Sequence, residues 1–181
     1  MSPSSQHGAG ARCGGIGRHP EGWNGDGLQN DQCYRVRMDN EIDAALVEWE
    51  TRQPAVEKGH PLWGLVAYRM ARMALDLVPA DLRVVSVRAP KESREQLSTA
   101  VASISANIAE GYSRPTGPDR ARFYAYALGS IREAIVWYSS LSDLLPERAL
   151  LDRVELLSRV RKIVLGMLKA THRDSASAFK P

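Results

Sequence analysis

The 181-residue sequence has no apolar run approaching the roughly 18 residues that a bilayer-crossing helix needs. Nor does an apolar stretch follow Met1, because residues 1–17 are small, polar and glycine-rich. These two absences lead to the expectation of a cytoplasmic protein with no membrane partner. Cysteine is nearly missing as well: Cys13 and Cys33 are the only two, 20 positions apart, with His7 and His19 near them. They lack the close pairing of a zinc finger, so two free thiols are expected, with no metal and no cofactor. Catalytic signatures are missing too. There is no Walker sequence, no G-x-S-x-G and no H-E-x-x-H, and the N-terminal glycines do not follow a strand. His60 and His172 have no carboxylate or cysteine at a telling distance. Glu110 and Glu133 lack the histidine that a di-iron helix would supply three residues on. No enzyme is expected.

What is present is ordinary for a globular chain: 44% hydrophobic and 25% charged residues. Charge is uneven. Residues 1–60 carry 6 Lys and Arg against 9 Asp and Glu, whereas residues 61–181 carry 18 against 12. The second part is therefore basic, which favours polyanions as partners, although basic residues also serve simply as a solvated face. Eight of the 14 glycines fall in the first forty residues, and no apolar period accompanies them. Such a segment cannot offset its ordering entropy by burial. Residues 1–60 are expected to be a largely disordered extension, with a short acidic helix at 41–50 where Ile42, Leu46 and Val47 recur at helical spacing.

From residue 61 the pattern predicts four helices. The first runs over about 61–78, with Pro61 in its first turn, and Pro79 is expected to stop it. Residues 80–89, with Val84, Val85 and Val87, read as an extended connection. The second helix covers about 90–112, its seam formed by Leu97, Val101, Ile104 and Ile108. The third covers about 116–144, with Thr116 as N-cap and Asp119 three residues on. It carries two adjacent apolar stripes: one from Phe123 through Ala127, Ser130, Ala134, Trp137 and Leu141, and a second formed by Tyr124, Leu128, Ile131, Ile135 and Tyr138. So wide an apolar face points to a subunit interface, the alternative being that this is simply the most buried helix. The fourth helix covers about 146–172, with Arg153, Arg159, Lys162 and Lys169 mostly outward, and residues 173–181 form a fraying tail. The expected architecture is all-α, an antiparallel up-down-up-down four-helix bundle over residues 61–172.

A polar cluster remains: Asn107 and Glu110 on the second helix, Ser130 and Glu133 on the third. Asn107 and Glu110 share a face with Ser103. Paired across the two helices, they would fix register and cap the turn between them.

Ser103-Ile104-Ser105-Ala106-Asn107-Ile108-Ala109-Glu110-Gly111 resembles the S-I-x-x-N-I-A-E-G signature of the bacterial four helix bundle protein family, also known as the 23S rRNA intervening-sequence protein family. Gln96-Leu97 stands at the matching upstream distance of its Q-[IL] pair. Phe123 to Gly129 and Ser130, followed by Glu133, resembles its F-L-x-x-A-x-G-S-x-x-E segment. The resemblance implies an antiparallel four-helix bundle assembled as a ring-like homopentamer. A related group, the accessory proteins of diversity-generating retroelements, implies nucleic acid and a reverse transcriptase as partners. Two departures stand out: Ser98 and Thr99 occupy positions where many members carry a basic pair, and the connection at 80–89 is longer than the family's.

These readings give an oligomeric, non-enzymatic bundle that binds RNA or DNA through Arg69, Arg72, Arg114, Arg120, Arg122, Arg132, Arg159, Lys162 and Lys169. Nothing encodes base readout, so sequence-tolerant, salt-sensitive binding is expected. The alternatives are a protein–protein adaptor, or a self-assembling ring that binds no nucleic acid.

Overall fold

The computed structural model describes residues 40–177, with side chains to Thr171. The expectations for residues 1–39, including those for the cysteines, lie outside the described residues. Over residues 40–177 the chain is all-α, with no strand among the described residues. Helix α1 covers residues 40–51, followed by α2 (Ala55–Lys58) and a 3-10 turn, Pro61–Gly64. Four long helices follow: α3 (Val66–Val85), α4 (Lys91–Ser113), α5 (Gly117–Ser140) and α6 (Glu147–Ser177). Helix α4 lies against α3 and α5, and α6 lies against α5 and α3, so the four close a cycle around one core. Met70, Leu97, Ile104, Ile108, Ile131, Leu157 and Val160 meet in it, each almost wholly buried. No helix among the described residues is long and apolar enough to cross a membrane.

Order starts earlier than residue 61. Ile42, Leu46 and Trp49 of α1 are buried and join the same core. Burying each such side chain contributes about 1.5–3 kcal/mol, enough to fix a three-turn helix that would be marginal alone. The Trp49 indole stacks on Trp63 at 5.8 Å and donates from Nε1 to Asp76 Oδ2 at 2.8 Å. The extension boundary expected at residue 60 is therefore corrected to about residue 40. The glycine content that suggested a disordered leader belongs to residues before α1, and the three apolar anchors are too few to dominate a sequence window.

Pro79 does not stop α3, which continues to Val85. A proline inside a helix costs about 3 kcal/mol through its missing N–H and a clash with the preceding turn. The turn beyond it is held by burial of Val85 and by a hydrogen-bonded triad around Asp81. Asp81 is buried and accepts from Arg153 Nε at 2.9 Å, from Arg153 Nη2 at 3.1 Å, and from the Tyr138 hydroxyl at 2.9 Å. Three elements, α3, α5 and α6, are tied at this point. Arg153, expected to face outward, points inward to it. Helix α6 likewise runs past residue 172, to Ser177.

The α4–α5 connection is short and built as its residues imply. Thr116 caps α5, its Oγ1 accepting from the Asp119 amide at 3.2 Å, with Pro118 in the first turn. Gly111 allows α4 and α5 to approach closely. A β-carbon there would lie 2.6 Å from Tyr124 Cε1 and 3.2 Å from Phe123 Cβ.

Candidate nucleic-acid interface

The second stripe of α5 is not an outward seam. Tyr124, Leu128, Ile131 and Tyr138 are buried within the chain, and Ile135 packs half-buried against the same core. Tyr138 is spoken for by Asp81. The wide apolar face marks α5 as a central helix contacting both α4 and α6, so the expected interface through these five residues is corrected. The outward face of α5 is a different row: Tyr126, Gly129, Glu133 and Val136, spaced as one helical face. Tyr126 is 53% exposed and Val136 63%. A β-carbon on Gly129 would meet open space.

The polar cluster of the two motifs is not buried or paired across helices. Asn107 Nδ2 donates to the Ser103 carbonyl of its own helix at 2.8 Å. Glu110 pairs with Arg114 at the end of α4, and Glu133 accepts from Trp137 Nε1 at 3.5 Å. Asn107, Glu110 and Ser130 are half-buried, while Gln96 and Glu133 are exposed. Half-exposed polar groups stay hydrated, so no partner on the facing helix is required. The expected cross-helix role is replaced by the close Gly111–Tyr124 contact.

The nine basic candidates separate into two sets. Arg69 pairs with Glu50, its Nε 2.8 Å from Oε1, donates from Nη1 to the Trp63 carbonyl, and lies 5.9 Å from the Trp63 ring centre. Arg72 meets Glu57 at 3.6 Å and the Tyr68 hydroxyl at 3.3 Å. Burial opposes the Arg72 charge, but the Tyr68 hydrogen bond and the Glu57 carboxylate outweigh it and raise its pKa. Arg159 meets Asp43 at 2.7 Å. These three arginines are occupied by the chain itself and do not present free guanidinium groups.

The second set holds, among the described residues, four cations without an ion pair and two, Arg114 and Arg122, whose acids, Glu110 and Asp119, lie within one turn of the same helix end. Arg132, Lys162 and Lys169 are exposed and Arg120 is half-buried, and none of the four makes an ion pair among the described residues. Arg114 and Arg122 flank the α4–α5 turn, where each guanidinium lies over the Phe123 ring, at 4.8 and 5.3 Å from its centre. Arg122 also meets Asp119 at 3.7 Å. Tyr126 stands edge-on to Phe123 at 5.8 Å, and Tyr112 at the end of α4 is 43% exposed. The turn thus gathers arginines and accessible aromatic rings at one place. Reading basic residues alone missed Tyr112, Phe123 and Tyr126, although they flank Arg114 and Arg122 in the sequence. Among the described residues no group of three or more His, Cys, Asp or Glu is placed to hold a metal ion.

Over the described residues the chain is all-helical, and its α4–α5 turn brings arginine and aromatic side chains together. Residues 82–164 match the family model described as 23S rRNA-intervening sequence protein, and over this part the chain is similar to that family. The match begins late in α3 and ends within α6, so it takes in both motifs. No curated protein matches the chain.

Proposed function

We propose that this chain is a non-enzymatic, oligomeric nucleic-acid-binding protein, built as an antiparallel up-down-up-down four-helix bundle. The observation that carries the reading is the α4–α5 turn, where Arg114 and Arg122 lie over Phe123 beside exposed Tyr126 and Tyr112. Guanidinium groups contact phosphates, and exposed aromatic rings and Arg planes accept stacked bases without sequence preference. Arg120, Arg132, Lys162 and Lys169 supply further phosphate contacts. The short α3–α4, α4–α5 and α5–α6 connections and the cyclic helix contacts support the antiparallel bundle. The match of residues 82–164 to the 23S rRNA-intervening sequence protein family supports a role as accessory to an rRNA intervening sequence, and the motif resemblance a role as accessory to a reverse transcriptase.

Binding of a labelled hairpin RNA and of duplex DNA across a salt series tests the proposal. A steep loss of affinity with salt is expected, and Arg114→Gln with Arg122→Gln weakens binding roughly tenfold, in line with about two lost phosphate contacts. Affinity absent at low salt, or flat across the series, refutes it.

A second reading, a self-assembling ring with no nucleic-acid partner, is favoured by the Tyr126, Gly129 and Val136 row. Gly129 costs helix stability, and among the described residues nothing approaches the place of its missing β-carbon. A neighbouring copy close to that backbone supplies the reason, and a homopentamer is the proposed assembly. A protein–protein adaptor role has no such observation behind it.

A further inference from the structure

Four arginines of α3 and α6 carry acids drawn from one short stretch of chain. Glu50 meets Arg69 and Glu57 meets Arg72 on α3, while Glu41 meets Arg148 and Asp43 meets Arg159 on α6, where Arg148 also meets Asp152 of its own helix at 2.9 Å. The spacing of these acids lets a segment of only 17 residues reach four basic side chains on two helices. A carboxylate presents to a guanidinium the same planar pair of oxygens that a phosphate does. We propose that residues 41–57 act as an intramolecular polyanion, closing a basic α3–α6 face that would otherwise take a nucleic-acid backbone. The closed site comprises Arg69, Arg72, Arg148 and Arg159, and its ligand class is a phosphate or sulfate polyanion.

The acids alone would not hold the face against nucleic acid. Ion pairs in contact with solvent, as these half-buried to exposed ones are, are weak and salt-screened, and a polyelectrolyte gains counterion release when it replaces them. The apolar anchors decide the competition: Ile42, Leu46 and Trp49 are buried in the core, and Trp49 is also stacked on Trp63 and bonded to Asp76. Because Glu41, Asp43 and Glu50 lie off the anchor row of α1 and Glu57 lies on α2, the acids can be neutralised without detaching α1. Nucleic acid is thereby confined to the α4–α5 turn and the outer side of α6.

This inference rests on the nucleic-acid reading above, and the test separates the two. The full-length chain is made with Glu41→Gln, Asp43→Asn, Glu50→Gln and Glu57→Gln. A charge-matched control carries Glu92→Gln, Glu95→Gln, Asp143→Asn and Glu147→Gln, exposed acids that pair with no arginine among the described residues. Both are compared with the unaltered chain for binding to hairpin RNA and to heparin over a salt series, with circular dichroism to confirm folding.

The first variant is expected to bind both ligands at least about tenfold more tightly than the control, with a salt slope steeper by about two to four, since each phosphate contact adds nearly one to the slope. Equal gains in variant and control, or no gain in either, overturn the inference. If the unaltered chain binds neither ligand while only the first variant binds, the closed face stands and the proposed function falls. If the unaltered chain binds and the two variants behave alike, the function stands and the closed face falls. Should the fourfold variant lose its helicity, the Glu50→Gln, Glu57→Gln pair is read by the same criteria with a slope change of one to two.

Discussion

Two glycines of the recognised motifs behave in opposite ways because their surroundings differ. At Gly111 a methyl group has no room beside the buried Tyr124 ring. Gly111→Ala is expected to lower stability by about 1–3 kcal/mol in urea unfolding, despite alanine's better helix propensity. At Gly129 the space is open, so Gly129→Ala is expected to raise the stability of the isolated chain by about 0.5–1 kcal/mol. The Asp81 triad gives a third residue-level expectation. Removing one partner of a buried pair leaves the other charge uncompensated, so Asp81→Ala costs about 3–5 kcal/mol. Burial, followed by the charge and hydrogen bond of Asp81, pushes the Tyr138 phenol well above its ordinary 10.0. The unfolded chain therefore releases this proton first as pH rises. Stability from Tyr138 is complete below about pH 10 and is lost progressively above it. Thermal melts from pH 8 to 11 should show an alkaline fall that Tyr138→Phe reduces; an unchanged fall would discard the assignment.

Among the elements, α1 is the one whose importance the sequence understated. Trp49→Ala removes a buried indole, its stacking partner and its bond to Asp76, and is expected to cost about 3–5 kcal/mol by thermal or urea unfolding. A loss under 1 kcal/mol would mean that α1 is not part of the core. The α4 seam of Leu97, Val101, Ile104 and Ile108 and the Thr116 cap were legible because each rests on local spacing. Helix α3 beyond Pro79 was not, since its stability comes from Arg153 on α6 and Tyr138 on α5, 72 and 57 residues away. The two stripes of α5 were legible as apolar, but periodicity alone does not say whether a second stripe faces another helix of the same chain or another copy.

For the whole molecule, the candidate interface was half legible. Basic residues can be counted in a sequence, but whether each already holds an acid is a matter of tertiary placement, as Arg69, Arg72 and Arg159 show. Assembly belongs to this scale as well. Val136→Glu with Tyr126→Glu places two charges on the outward row of α5, and sedimentation velocity should then show a shift from oligomer to monomer with helicity retained. An oligomer that persists unchanged would move the contact to another surface.

Pro79 carries one more consequence. Lacking an amide, it leaves the carbonyl one turn earlier without its intrahelical donor, so the hydrogen-bond ladder of α3 is interrupted there. The two parts of the helix therefore need not open together. In native-state hydrogen exchange the amides of residues 82–85 should open as a separate, less protected unit than those of residues 70–74, and Asp81→Asn should widen that gap by loosening the bonds to Arg153 and Tyr138 that hold the last turn down.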